Sequence, residues 1–140
     1  MNTIFLDKDF KVFYVTATSF PQGIREAVDK LHSLFPFSPA RKIFGLSRPE
    51  NGGEIVYRAA AEELEEGEGR LYHCDTLIIN KGKYTSARVE NFRQDPLAID
   101  RTFKELLKHP DLDPNGYCVE WYETEGAGVT CMIRLKDPQS

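Results

Sequence analysis

The sequence predicts an α+β fold made of two similar β-α-β-β halves, with antiparallel sheets and one helix per half. Three observations carry that prediction. Two amphipathic helix patterns lie in register, because Pro21, Ile24, Val28 and Leu31 stand 75 residues before Pro96, Ile99, Phe103 and Leu106. Each pattern is followed by two runs rich in β-branched and aromatic residues, separated by turn residues. At 140 residues the chain has the length of one domain and can bury a sizeable core. The expected organisation is therefore one domain over 1–140, with a first repeat at about 10–64 and a second at about 75–135.

The elements follow in order. Phe10 to Ser19 (FKVFYVTATS) reads as a strand. Pro21 suits the first turn of a helix, where a missing N–H costs nothing. Ile24, Ala27, Val28, Leu31, Leu34 and Phe35 form its apolar stripe, and the two prolines of PFSPA end it. Arg41 to Ser47 is a second strand, Pro49 to Gly53 a turn, and Glu54 to Glu63 a third strand. The acidic stretch Glu62 to Gly69 reads as a solvated loop or strand end, because clustered like charges repel. In the second half, Thr76 to Ile79 and Tyr84 to Phe92 are strand-like and joined by NKGK. Asp95 and Pro96 mark a helix start, with Asp95 able to cap free N–H groups. Ile99, Phe103, Leu106 and Leu107 make the inward stripe, and DLDPNG stops it. GYCVEWYETE and GVTCMIRL are the last two strands, joined at Gly126 to Gly128.

Composition excludes several functions. The net charge of -4, with no run of Lys and Arg, gives no general attraction to nucleic acid or anionic membranes. No apolar stretch approaches the roughly 20 residues that span a bilayer, and the N-terminus lacks a secretory signal pattern, so the cytoplasm is the expected location. Cys74, Cys118 and Cys131 are odd in number with no CxxC spacing, and His32, His73 and His109 are scattered, so neither a disulfide framework nor a metal site is expected. No GxSxG, P-loop, HExxH or GxGxxG pattern is present, and no cofactor is expected.

The most informative segment is YCVEWYE, Tyr117 to Glu123. In a strand, Cys118, Glu120 and Tyr122 share one face while Tyr117, Val119 and Trp121 share the other. Two readings stay open here. If the Glu120 face points into a cleft, a carboxylate lies on an apolar floor beside a phenol. Desolvation then disfavours its charge, and a cationic ligand relieves that cost. If the face points outward, Glu120 is an ordinary solvated carboxylate.

The succession IFGLSRPENG, EIVYRAAAEE, INKGKYTSARVENF and YCVEWYE, within a span from about Phe10 to Leu135, resembles the GyrI-like small-molecule-binding domain. That domain is the effector-binding module of many bacterial multidrug-responsive and AraC-type transcription regulators. Gly82 and Tyr84 match the family's Pro-x-Gly-x-Tyr approach, with Asn80 where Pro is frequent. Glu120 and Tyr122 match its aromatic-Glu-x-Tyr strand, with Val119 in place of the aromatic. The resemblance implies pseudo-twofold symmetry and a central, aromatic-lined ligand cleft. It places the cleft carboxylate on Glu120 and its partner on Tyr122, with Tyr84, Tyr57, Phe44 and Tyr14 as candidate walls. Trp121 has the opposite parity and reads as core.

The function this implies is a stand-alone binding protein for an apolar, cationic small organic molecule, with no direct nucleic-acid or membrane partner. Family regulators carry a helix-turn-helix domain ahead of this module, and the residues before Phe10 leave no room for one, so regulation would need a partner protein. Two alternatives remain: a small hydrolase using Glu120 on electrophilic compounds, and a protein-interaction or inhibitor module using the acidic Glu62–Glu68 cluster.

Overall fold

The structure, a computed structural model, describes residues 1–50, 52–95 and 97–138. Its strands are β1 (Asn2–Leu6), β2 (Phe10–Thr16), β3 (Ile43–Glu50), β4 (Glu54–Glu62), β5 (Asp75–Ile79), β6 (Gly82–Val89), β7 (Cys118–Tyr122) and β8 (Val129–Arg134). Its helices are α1 (Ile24–His32), the short α2 (Glu68–Leu71) and α3 (Ala98–Leu106), and Phe92–Gln94 forms one turn of 3-10 helix. All eight strands join one antiparallel sheet in the order β1-β6-β8-β7-β3-β4-β2-β5. The α+β class is as the sequence predicts.

The strand order reads the same from either end when β1 is exchanged with β5, β2 with β6, β3 with β7 and β4 with β8. Each half is then a β-β-α-β-β unit, and its first strand is lent to the other half: β1 pairs with β6, and β5 with β2. Strand β1 is absent from the sequence reading, which started the first repeat at Phe10. NTIFL is a short run, and only β6, some eighty residues away, makes it a strand.

Alternation along the strands sends apolar side chains to both faces. On one face α1 covers β2 and β4 through Ala27 and Leu31, which pack with Phe13, Phe35, Tyr57, Ala59 and Ala61. On the same face α3 covers β6 and β8 through Phe103 and Leu106, which pack with Val89, Val129, Cys131 and Ile133. No helical residue belongs to the cluster on the other face, which draws on all eight strands. Phe10 on β2 and Trp121 on β7 meet there with ring centroids 5.5 Å apart, although β4 and β3 separate their strands. A flat sheet would hold those strands about 14 Å apart. The sheet is therefore curled, with this face concave and packed on itself.

Several local expectations change. Helix α1 starts at Ile24, because the Gly23 amide bonds to the Ser19 carbonyl (3.1 Å) and closes a separate turn that contains Pro21. Leu34 and Phe35 lie past the helix end but still pack into the core. The second helix begins at Ala98 with no side-chain cap; Asp95 pairs with Arg101 instead, and the Pro96 expected at its first turn lies outside the described residues. Strand β6 stops at Val89, so Phe92 belongs to the 3-10 turn. The turn between β3 and β4 places Gly52 and Gly53 at φ +103° and +109°, a region that disfavours L side chains; Asn51 between them and Glu50 lies outside the described residues.

The acidic stretch is corrected most. It contains α2, and three of its five carboxylates, Glu62, Glu63 and Glu68, are built into the fold. The Glu68 carboxylate takes both Nη groups of Arg41 (3.1 and 3.0 Å) and the backbone N–H groups of Leu64 and Glu65. Glu63 accepts the Gly69 N–H and faces Lys11, while Glu62 faces Lys42. Hydrogen bonding from Arg41 holds the Glu68 carboxyl below the usual carboxylate range. Removing one partner of a buried pair leaves the other charge uncompensated, at a cost of about 3–5 kcal/mol. Glu68→Ala should therefore lower unfolding stability in urea by about that amount, while Glu66→Ala on the exposed side of the same loop should stay within about 0.5 kcal/mol. Equal losses in the two variants would contradict the assignment.

Candidate functional site

Between the flanks covered by α1 and α3 runs the seam where β3 pairs with β7. Register places Gly45 opposite Glu120 on one side and Cys131 opposite Glu120 on the other. Glu120 therefore sits in the middle of the sheet, on its helix-bearing face, and is 9 % exposed. Its partner is local. Two residues along the strand, the Tyr122 hydroxyl donates a short hydrogen bond to Glu120 Oε1. The Tyr57 hydroxyl reaches across from β4 to the same spot, bordering the space beside Gly45 together with Glu120 Oε1. The three side chains gather as two phenols around one carboxylate.

Gly45 makes that cluster fit. A Cβ at this position would collide with the Tyr57 hydroxyl oxygen and would lie a tight 3.0 Å from both Glu120 Oε1 and Tyr57 Cζ. The glycine is needed for space, and any side chain would displace the phenol or the carboxylate.

Electrostatics follow from burial. Desolvation pushes the Glu120 carboxyl above its ordinary range, with the Tyr122 hydrogen bond pulling the other way. Tyr57 and Tyr122 are pushed up by burial first and by the Glu120 charge second, so both stay protonated donors. The same two causes push the Cys118 thiol to about 11 and the Cys131 thiol to about 12. Neither is a ready nucleophile.

Above the seam opens a cavity of about 1100 Å³, walled by α1, the segment after it, the 3-10 turn and the β7–β8 turn. Tyr57, Tyr122, Phe35, Phe92 and Ile43 contribute its aromatic and aliphatic wall. Glu120 stands one hydrogen bond behind that wall, and the Phe92 ring packs edge-on against Tyr122 at 5.3 Å. The other carboxylates at the cavity each face an arginine: Asp29 faces Arg25 at 3.8 Å, Glu123 faces Arg88 at 2.7 Å, and Glu68 behind Arg41 is paired at 3.0 Å. Among the described residues Glu120 has no cation.

The residues singled out in the sequence divide between the two faces. Glu120, Tyr122 and Tyr57 come together at the cavity. Phe44 borders it but sends its ring to the concave core, against Phe10 at 5.9 Å and Trp121 at 5.5 Å. Tyr84 lies in the same concave core and donates to the Asn80 carbonyl at 2.6 Å. Tyr14 packs there too, with the Arg58 guanidinium 5.2 Å from its ring. Arg41, Phe35 and Phe92 are cavity residues that the sequence reading did not single out as site residues. Arg41 lies just past PFSPA, where no periodicity marks a side chain's direction.

Comparison with known proteins gives structural neighbours only. No protein-family model matches the chain, and neither does any curated protein. An integron cassette protein from the mobile metagenome of Vibrio cholerae aligns with a TM-score of 0.69 at 16% identity, covering 96% of this chain and 95% of its own. SAV2435, solved bound to tetraphenylphosphonium, aligns with a TM-score of 0.67 at 14% identity over 96% and 93%. A hydrolase from Listeria innocua aligns with a TM-score of 0.57 at 8% identity over 96% and 91%. At such identities the likeness is one of fold. It fits the GyrI-like fold that the sequence resembles. Among the described residues no helix is long and apolar enough to cross a membrane, and no cluster of three or more His, Cys, Asp or Glu could hold a metal ion.

A carboxyl whose pKa is raised on folding binds its proton more tightly in the folded chain than in the unfolded one. Its contribution is therefore fully present at low pH and is lost as pH rises from the ordinary carboxyl range through the raised value. Glu120→Gln removes that loss. Melting temperatures of the two proteins should converge near pH 4 and separate in favour of the variant as pH rises to about 8. A constant difference across that range would show that Glu120 is not desolvated.

Proposed function

We propose that this protein binds small organic molecules in the cavity over the β3–β7 seam, and that its preferred ligands are apolar cations. The observation that carries the reading is a buried carboxylate that accepts from a phenol and, among the described residues, faces no cation, just behind the wall of a large aromatic cavity. Burying an ionised carboxylate costs several kcal/mol unless a positive charge compensates it. A cation entering the cavity supplies that charge. The tyrosine rings of the wall add attraction of roughly 0.5–2 kcal/mol each for a desolvated cation.

Tyr57 and Tyr122 are the groups that meet the ligand, and Glu120 acts through them. With the carboxylate ionised, the phenol oxygens carry enhanced negative character toward the cavity. The fold neighbour solved with tetraphenylphosphonium supports the choice of ligand class. That neighbour and the motif that ends in Glu120 and Tyr122 support reading the chain as a GyrI-like binding module. An inhibitor role resting on the acidic cluster has less to work with, because Glu62, Glu63 and Glu68 already face Lys42, Lys11 and Arg41.

Tetraphenylphosphonium titrated calorimetrically into the wild type should bind. Glu120→Gln, which keeps the shape and removes the charge, should weaken it about tenfold or more, in line with loss of a charged partner. Affinity should rise with pH, and binding should release a proton wherever the free carboxyl is protonated, because the cation favours the ionised carboxyl whose pKa burial has raised. Titrations in buffers of different ionisation enthalpy read that proton directly. No binding by the wild type, or equal binding by the variant, would refute the charge recognition.

A further inference from the structure

The cavity wall holds a second polar group whose bonding is incomplete. Arg41 is 6 % exposed and lines the cavity. A guanidinium has five N–H donors in a fixed plane. Nη1 donates to the Glu62 carbonyl at 2.9 Å and to Glu68 Oε1 at 3.1 Å, and Nη2 donates to Glu68 Oε2 at 3.0 Å. That is an end-on bidentate pair plus one backbone bond. It leaves Nε–H and the Nη2 hydrogen beside it, which point in parallel from the side edge of the group. Nε is buried and has no partner. Leaving a buried donor unmade costs on the order of 1–3 kcal/mol, so a fold that keeps one at a cavity wall has a reason to be sought in the cavity.

The guanidinium is held rigidly in place. Its carbon lies 4.6 Å from the Phe35 ring centroid and 5.7 Å from that of Phe13, and Glu68 is itself fixed by two backbone N–H groups. The Arg58 Nε is also buried and unpartnered, but that side chain faces the concave side of the sheet, over Tyr14 and away from the cavity.

We propose that the side edge of Arg41 is a second binding pole of the cavity, taking an uncharged oxygen acceptor on the same ligand whose cationic part is held at Tyr122 and Glu120. Charge decides between a neutral and an anionic acceptor. Glu68 already balances Arg41, so a ligand carboxylate there would leave a net negative charge buried beside Glu68. A ketone, amide or sulfonyl oxygen accepts from the parallel N–H pair and adds no charge. The ligand class is then an aromatic cation that also carries a neutral carbonyl-type group. This inference rests on the cation-binding reading of the same cavity.

The test uses two kinds of probe that differ only at the acceptor. Meta- and para-acetylbenzyl triphenylphosphonium carry the carbonyl, and their isopropylbenzyl counterparts carry a methyl group of similar size in place of the oxygen and cannot accept a hydrogen bond. The wild type should bind at least one acetyl compound about tenfold tighter than its isopropyl counterpart, as expected for a hydrogen bond from a charged donor. Arg41→Lys keeps the charge beside Glu68 and loses the fork, so it should erase that preference. Should the variant fail to fold, the Arg41 Nε–H resonance of the wild type should still shift with the acetyl compound and not with the isopropyl one. Equal binding of both members of each pair, an unmoved resonance, or a preference that survives in Arg41→Lys would overturn the second pole and leave the cation site standing. Failure of every phosphonium to bind would overturn both.

Discussion

A carboxylate buried at the centre of a sheet without a cation is the constraint around which this fold is arranged. Glu120 has β3 on one side and β8 on the other, so its position is set by strand pairing and it cannot swing out to solvent. Its neighbours are selected accordingly. Gly45 opposite supplies space, Tyr122 supplies a donor, and Tyr57 adds a second phenol at the cavity. Each of these depends on the others. The arrangement leaves an electrostatic deficit at one point in an otherwise apolar wall.

The two faces of the sheet divide the work. The concave face gathers side chains from all eight strands into a self-contained core, and the sheet is thereby held curled. The other face is covered at its flanks, by α1 and the short α2 over one half and by α3 over the other. The seam between them has no covering helix, and that is where the cavity opens. The Arg41–Glu68 pair ties the segment after α1 to α2, fixing one cavity wall from behind. Arg41 thus serves both the fold and the cavity wall.

The neighbours by fold include a protein solved with an organic cation and a hydrolase, so architecture alone does not select a function. The chemistry of the site does the selecting. Two protonated phenols stand in front of a desolvated carboxylate. The thiols nearby are held protonated by burial, which removes them as nucleophiles. Binding is the reading these groups support.

Local pattern was enough for much of this molecule. Spacings of three and four placed Leu31 and Leu106 inside their helices, and period two placed Glu120 and Tyr122 on one face and Trp121 on the other. Such periodicities are properties of consecutive residues, which is why they can be read without a structure. What lay between distant segments could not. Strand β1 exists because β6 pairs with it, and the acidic stretch is structural because Arg41 and Lys11 reach it. Tyr14, Tyr57 and Tyr84 are indistinguishable as sequence, yet one stands at the cavity and two in the concave core, since the curl and register of the sheet assign the faces. The sequence by itself determined the two main helices, seven of the strands and the parity of β7. Tertiary structure alone decided which face became a cavity, because that depends on where two helices stop covering a sheet, and no stretch of consecutive residues encodes that gap.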